Sequence, residues 1–212
     1  MATAADTTAS PGSGRGGPRG SYAKTEEIRS AILDAALEVF SQGGFRAGSL
    51  RLVAERVGMS EAGVLHHFRR KSTLLAAVLE RRDQLAQQFV PPKTVDGEVS
   101  VRGLIELARY NASIPGVVEL YCTLSAEATS PDHPAHDYFV RRYEVTRGIV
   151  LDAFADLERR GLLRDGVTPF GAAKATIAMM DGLQIQWLLD RTVLDMAEEL
   201  RVFLQELTTI DL

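Results

Sequence analysis

Side chains able to do chemistry are sparse in this chain of 212 residues, and three groupings need weighing. The first is Arg69-Arg70-Lys71, preceded by His66-His67 and standing just before a helical pattern. Such charges and the free N–H groups of a helix start can both meet a phosphate, the plain alternative being a solvated corner. The second is Asp132, His133, His136 and Asp137, residue types that ligate metals. Pro134 interrupts them, His133 and His136 would start a helix rather than share one of its faces, and too few ligands are present for a closed zinc shell. They are read as loop polar residues, and no metal is expected. The third is a bundle enzyme's Glu-x-x-His pair; Glu119–Cys122 and Glu127–Ser130 have that spacing without the His. With no P-loop or glycine-rich dinucleotide fingerprint either, no catalytic residue and no cofactor are expected.

The elements that would position the basic run lie between Ser49 and Leu79. Val53, Ala54 and Val57 share one face of a short helix, Gly58 suits the positive φ of a turn, and Ser60 is placed to cap the next helix. The spacing fits a helix-turn-helix: Ala54 lets two helices approach, Met59 plugs the corner, and Val64 with Phe68 turns inward. Ahead of it, Ile28, Ile32, Ala35, Ala36, Val39 and Phe40 repeat at helical steps from Thr25 until Gly43-Gly44, with Phe45 as a plug and Ser49 as a cap. A fourth helix from near Ser72 carries Leu74, Leu75, Val78, Leu79, Leu85 and Phe89 to the break at Pro91-Pro92. Its length of roughly 25 Å at 1.5 Å per residue suffices to connect this unit to the rest.

Charge divides along the same line. The net charge is −4, yet residues 22–90 hold ten Lys/Arg against eight Asp/Glu while residues 91–212 hold twelve against nineteen. Two parts with different partners are implied. Residues 1–21, rich in Ala, Thr, Gly, Ser and Pro, read as a disordered arm that either lays Arg15, Arg19 and, just beyond it, Lys24 along phosphates or a minor groove or, the favoured reading, trails uninvolved in solvent. No apolar run is long enough to cross a bilayer and no secretory leader is visible, so a cytoplasmic protein without membrane contact is expected. One cysteine, Cys122, excludes an internal disulfide.

Beyond Pro91–Val99 every pattern is helical: Ser100–Ile114, Gly116–Ala128 started by Pro115, His136–Arg160, Pro169–Leu189 and a last helix with Met196, Leu200, Phe203 and Leu207. Gly171, Ala175, Ala178 and Gly182 form a small-residue stripe. With Met196, Leu200 and Phe203 it suggests a four-helix dimer seam, the alternative being an ordinary core within one chain. Tyr110, Tyr121, Cys122, Tyr143, Phe154, Met179, Met180 and Trp187 either pack the core or line an apolar cavity, with Asn111, Asp181 and Gln184 as orienting polar groups.

The segments ILDAALEVFSQGGF, LRLVAERVGMS and LHHFRRKSTLLAAVLE, in that order, resemble the DNA-binding domain of the TetR family of bacterial transcriptional regulators. The resemblance implies an all-α chain. Residues 22–90 would be a three-helix helix-turn-helix DNA-binding domain with its connecting helix, and residues 91–212 a ligand-binding and dimerisation domain. It implies a homodimer on an inverted-repeat operator, released when a small-molecule effector occupies the second half; the alternatives are a ligand-responsive activator and a helix-turn-helix that binds protein. Family DNA contacts carry over to Ser49, Arg51, Ser60, Ala62, Gly63, His66, His67 and Lys71. Three positions depart from the family pattern: Leu65 stands where a tyrosine is often found, Glu61 where a lysine is frequent, and Leu52 where an acid is frequent. On that helix Glu61 suits a cytosine amino group and Ala62 a thymine methyl, and in this setting the basic run is assigned to phosphate.

Overall fold

Apolar residues at three- and four-residue steps drive the chain into helices that bury those stripes against one another. The computed structural model describes residues 19–43, 49–92 and 96–212. Among them stand α1 (Arg19–Gly43), α2 (Ser49–Arg56), α3 (Glu61–Phe68), α4 (Lys71–Ala86), α5 (Gly97–Ser113), α6 (Pro115–Glu127), α7 (His136–Arg159), α8 (Pro169–Leu189) and α9 (Met196–Leu207). The described residues are thus all-α, with a lone antiparallel bridge between Leu163 and Thr208.

Three boundaries differ by more than one residue from those read in the sequence. The first helix begins at Arg19 instead of Thr25 and so includes the last residues of the expected arm. Past Gly20 nothing there breaks a helix, and the packed stripe beyond supports its extension backward. Residues 1–18, with Arg15, and residues 44–48, with Gly44 and Phe45, lie outside the described residues. The fourth helix ends at Ala86, short of Phe89, because its last turn tightens: the amides of Gln87, Gln88 and Phe89 donate three residues back at 3.3, 3.3 and 3.0 Å. The fifth begins at Gly97, ahead of Ser100, because Asp96 Oδ1 accepts from the amides of Glu98 and Val99 at 3.0 and 3.3 Å.

Two apolar clusters result. One joins Ile32, Ala36, Phe40, Val53, Val64, Phe68, Leu74 and Val78 of the first four helices to Val117, Leu120 and Leu124 of α6 and Phe139 of α7. The other packs α5, α7, α8 and α9 around Leu104, Phe154, Leu157, Leu183, Leu200 and Leu204. Thus α1 and α4 rest directly on the second half of the chain.

Between the clusters, α5 presses on the segment that leaves α4. A Cβ built on Gly103 would lie 2.0 Å from the carbonyl oxygen of Phe89, and backbone cannot yield as a side-chain tip can. Gly103→Ala should therefore cost about 2 kcal/mol or more by overpacking, measured as a lower urea midpoint at unchanged slope.

Candidate nucleic-acid interface and regulatory cavity

The turn between α2 and α3 is built from backbone bonds. Gly58, at φ +66°, lets its own amide reach the Glu55 carbonyl at 3.2 Å and the Met59 amide reach Ala54 at 2.9 Å, the paired bonds of a Schellman ending. Ser60 then caps α3, its Oγ accepting from the Gly63 amide at 3.1 Å. Val64 and Phe68 are buried beneath, and Glu61, Ala62 and His66 stay exposed. Arg29 of α1 closes the far end: its guanidinium donates to the His67 carbonyl and lies 4.3 Å from the Phe68 ring centroid. A cation at a helix C-terminus is favourable there.

Between α3 and α4 the chain reverses in two residues. Arg69 takes φ +58°, ψ −42°, and the Arg70 amide donates to the Phe68 carbonyl at 2.6 Å, which makes a γ-turn of the strained kind. Arg69, Arg70 and Lys71 are all exposed, and none forms an ion pair among the described residues. Three uncommitted cations therefore stand beside the outer face of α3 and the first turn of α4.

Above this head a polar knot ties α4 to the second half. Asp83 of α4 accepts from Tyr138 Oη at 2.7 Å and from Arg142 Nε at 3.0 and 3.1 Å, both on α7. Its neighbour Arg82, 2% exposed, donates to Asp83 at 3.3 Å and to Asn111 of α5 at 2.7 Å. Arg142 donates also to Tyr121 Oη at 3.1 Å, and Tyr121 and Tyr143 both donate to Asp181 of α8, at 3.1 and 2.7 Å. Burial pushes all three tyrosines above their ordinary range, so they stay neutral. Burial alone would lower Arg142, but Tyr121 and Asp83 outweigh it and hold the guanidinium charged.

Beside the knot lies a cavity of about 380 Å³ between α4, α5 and α7. Val90, Leu104, Leu107, Val145, Ile149 and Val150 give it an apolar wall, and Glu80, Asp83, Gln84, Gln87, Tyr138, Arg141 and Arg142 a polar one. Its size suits a small organic molecule.

Residues 32–78 match the family model for bacterial regulatory proteins of the tetR family, and residues 119–211 match that for the C-terminal part of BetI-type transcriptional repressors. The chain belongs to the TetR family of transcriptional regulators. Over 74 residues it is 39% identical to the HTH-type transcriptional regulator SrpR of Pseudomonas putida, a match spanning 34% of this chain and about a third, 35%, of that one. With TtgR of Pseudomonas putida the identity is 28% over 184 residues, covering 78% and 82% of the two chains. The crystal structure of NalD, the secondary repressor of the MexAB-OprM multidrug efflux pump in Pseudomonas aeruginosa, superposes with a TM-score of 0.57 at 22% identity over 88% and 98% of the chains.

In this TetR-family regulator the residues assigned to DNA gather at one end. Ser49 opens α2 and is buried; Arg51 is exposed and pairs loosely with Glu55 at 3.7 Å. Ser60, Glu61, Ala62, His66 and Lys71 are exposed, while Leu65 and His67 are half-buried. Gly63 faces the turn, not solvent, since a side chain there would meet Met59 and Ser60 at 3.3 and 3.4 Å.

The eleven residues read as packing the core or lining one apolar cavity do not share a cavity, and none lines the one under α4. Asn111, Met180 and Gln184 border a gap of about 10 Å³, room for about one water. Cys122 borders a separate hollow with Ile185 and Leu189, its thiol pushed up to about 11 by burial. Tyr110 packs on Phe89, Tyr121, Tyr143 and Asp181 bind one another, and Trp187 is core under Arg191. Periodicity identifies an inward face, but a face that closes on its neighbours leaves no space.

The dimer assignment needs a similar correction. Met196 and Leu200 are 2% and 0% exposed inside their own chain, and Phe203 is half-buried, because α9 turns that face onto α5 and α8. On α8, by contrast, Ala175 and Ala178 are exposed and Gly171 and Gly182 half-exposed, with Ile185 and Leu189 continuing their stripe at 52% and 83% exposure. His133 and His136 are spent on the loop: the first accepts from the Ala135 amide at 3.2 Å, the second bonds the Ala128 carbonyl at 2.8 Å.

Sequence reading passed over Arg29, Arg82, Asp83 and Arg142. One signal existed: Arg82 occupies the buried stripe Leu75, Val78, Leu79, and a charge in such a row needs a partner. A cycle of Asp83→Asn, Arg142→Gln and the double variant should give a coupling of about 1–3 kcal/mol, each single change costing more than its share of the double. Urea denaturation reads it directly.

Proposed function

We propose that this TetR-family regulator is a homodimeric repressor that binds an inverted-repeat operator through α3 and leaves it when a small molecule occupies the second half of the chain. The head is residues 22–90 and the regulatory part residues 91–212. Supporting it above all is the juxtaposition of an outward α3, fixed from beneath by Val64, Phe68 and Arg29, with the uncommitted cations Arg69, Arg70 and Lys71. Cations of that kind set affinity and register on the backbone, while side chains on the outer face of α3 read base edges.

Recognition by this face is economical. Glu61 and Ala62 point outward, with a cytosine amino group and a thymine methyl as their matches, and Arg51 adds a guanidinium from α2. No bidentate Arg, Asn or Gln stands on α3 itself. DNA shape therefore carries part of the discrimination.

The α8 stripe supplies the pairing surface in this reading, since Ala175, Ala178, Ile185 and Leu189 leave apolar area that one chain does not cover. Two heads held this way would meet successive major grooves about 34–36 Å apart, or a multiple of it. No helix among the described residues is long and apolar enough to cross a membrane. We place the protein in the cytoplasm, with its DNA, and assign it no covalent chemistry.

Lys71→Ala should weaken binding to specific and random duplexes alike and flatten the salt slope by about one, the signature of one lost phosphate contact. Retardation of the DNA flanking its own gene should resist a random competitor; equal competition refutes a specific operator. Ile185→Glu in the α8 stripe should yield monomers by sedimentation and lower operator affinity, whereas an unchanged dimer would remove α8 from the interface.

A further inference from the structure

The cavity under α4 sorts its free hydrogen-bonding groups by sign. Its inner acid is already engaged: the Asp83 carboxylate accepts from Tyr138, from Arg82, and from the one Nε–H of Arg142, which its two oxygens share. Its bases retain free donors. Arg142 commits Nε to Asp83 and Nη1 to Tyr121, which leaves Nη2 without a partner among the described residues. Arg141 lines the same wall, exposed, and likewise has no ion pair there. Against these donors stands one further acid, Glu80, at the exposed side of α4. The facing wall of Leu104, Leu107, Ile149 and Val150 is hydrocarbon.

We propose that this cavity binds an amphipathic anion, a carboxylate or comparable head received by Arg141 and Nη2 of Arg142, with its apolar body laid on the α5–α7 wall. A cationic head would meet two guanidinium groups and a carboxylate whose charge is already balanced by Arg82 and Arg142, leaving only Glu80 at the exposed side to receive it. An anionic head gains charge-assisted bonds that the free protein leaves unmade. Its charge also sits beside the Asp83 carboxylate, which it repels while drawing on the same guanidinium, and Asp83 is the α4 end of the knot. Occupancy thereby loosens α4 from α7. That consequence for DNA rests on the repressor reading; binding at the cavity does not.

Decanoate, decyltrimethylammonium and decanol share one hydrocarbon body and differ in the head. Calorimetry on the full chain should show decanoate binding once per chain, about tenfold or more tighter than decyltrimethylammonium. Arg141→Gln should weaken decanoate by about tenfold and leave decanol unchanged. Ile149→Trp, which fills the apolar end, should abolish decanoate binding, with Leu107→Trp as a second filling variant and circular dichroism to verify folding. Equal or tighter binding of the cation, no binding of decanoate, or binding indifferent to the filled cavity would each overturn the proposal. Decanoate should also release the operator in a retardation assay. The two readings fail separately: a chain that binds decanoate but retards no DNA refutes the repressor, and one that retards DNA but takes no decanoate refutes the anion site.

Discussion

Two guanidinium groups held out of water beside one carboxylate set the terms for this molecule. Arg82 is buried and Arg142 nearly so, and a charge taken from water costs several kcal/mol unless partners meet it with good geometry. Asp83 supplies the charge, while Asn111 and Tyr121 supply further acceptors. Each partner lies on a different helix. The desolvation cost is therefore offset only when α4, α5, α6 and α7 come together in one arrangement, so the knot specifies how the first four helices sit on the rest more sharply than the interchangeable apolar contacts around it. Aromatic faces reinforce it, with both guanidinium groups lying over Tyr121, at 5.4 and 4.6 Å from the ring centroid.

The α2–α3 unit is held by a different logic, in which local bonds dominate. Gly58, the Schellman bonds and the Ser60 cap fix the α2–α3 turn within the span from Ala54 to Gly63. Arg29 adds one long-range contact, spending its charge on the carbonyl end of α3. An eight-residue helix is too short to persist alone in water, so this underside anchoring is what allows its outer face to remain free for another molecule.

That contrast explains what was legible in the sequence. The turn at Gly58, the cap at Ser60 and the inward Val64 and Phe68 depend on residues within ten positions of one another, and their chemistry is particular to those residue types. The knot depends on Asp83 finding Tyr138 and Arg142 across 55 and 59 positions, and nothing near Asp83 advertises the pairing. The same holds for Gly103, which reads as an unremarkable helical glycine until the Phe89 carbonyl is set against it. The inward set on α5–α8 was visible as a face, but whether such a face closes or leaves a gap is decided by neighbours. Asn111, assigned to a ligand, instead receives Arg82, and the open space lies beside α4, where Gln84 and Gln87 look like ordinary solvated surface.

In the repressor reading, the joint between α3 and α4 links the two halves. Only Arg69 and Arg70 separate the helices, and the bond from Arg70 to Phe68 closes them into a turn with a single rare conformation and no slack. On that reading, a displacement of α4 would pass to α3 across these two residues. Phe68, at the end of α3, is fully packed in the same apolar cluster as Leu74 and Val78 of α4, so the two helices share one core. Effective regulation needs a coupling of about 1–3 kcal/mol, enough to change operator affinity by roughly 5–150-fold. A charge-assisted tie such as Asp83 to Arg142 contributes on that scale, of order 1.5–3 kcal/mol. A ligand that weakens it therefore alters the free energy of α4's position by as much as regulation requires. Apolar contacts of α1 and α6 in the same cluster do not depend on that tie.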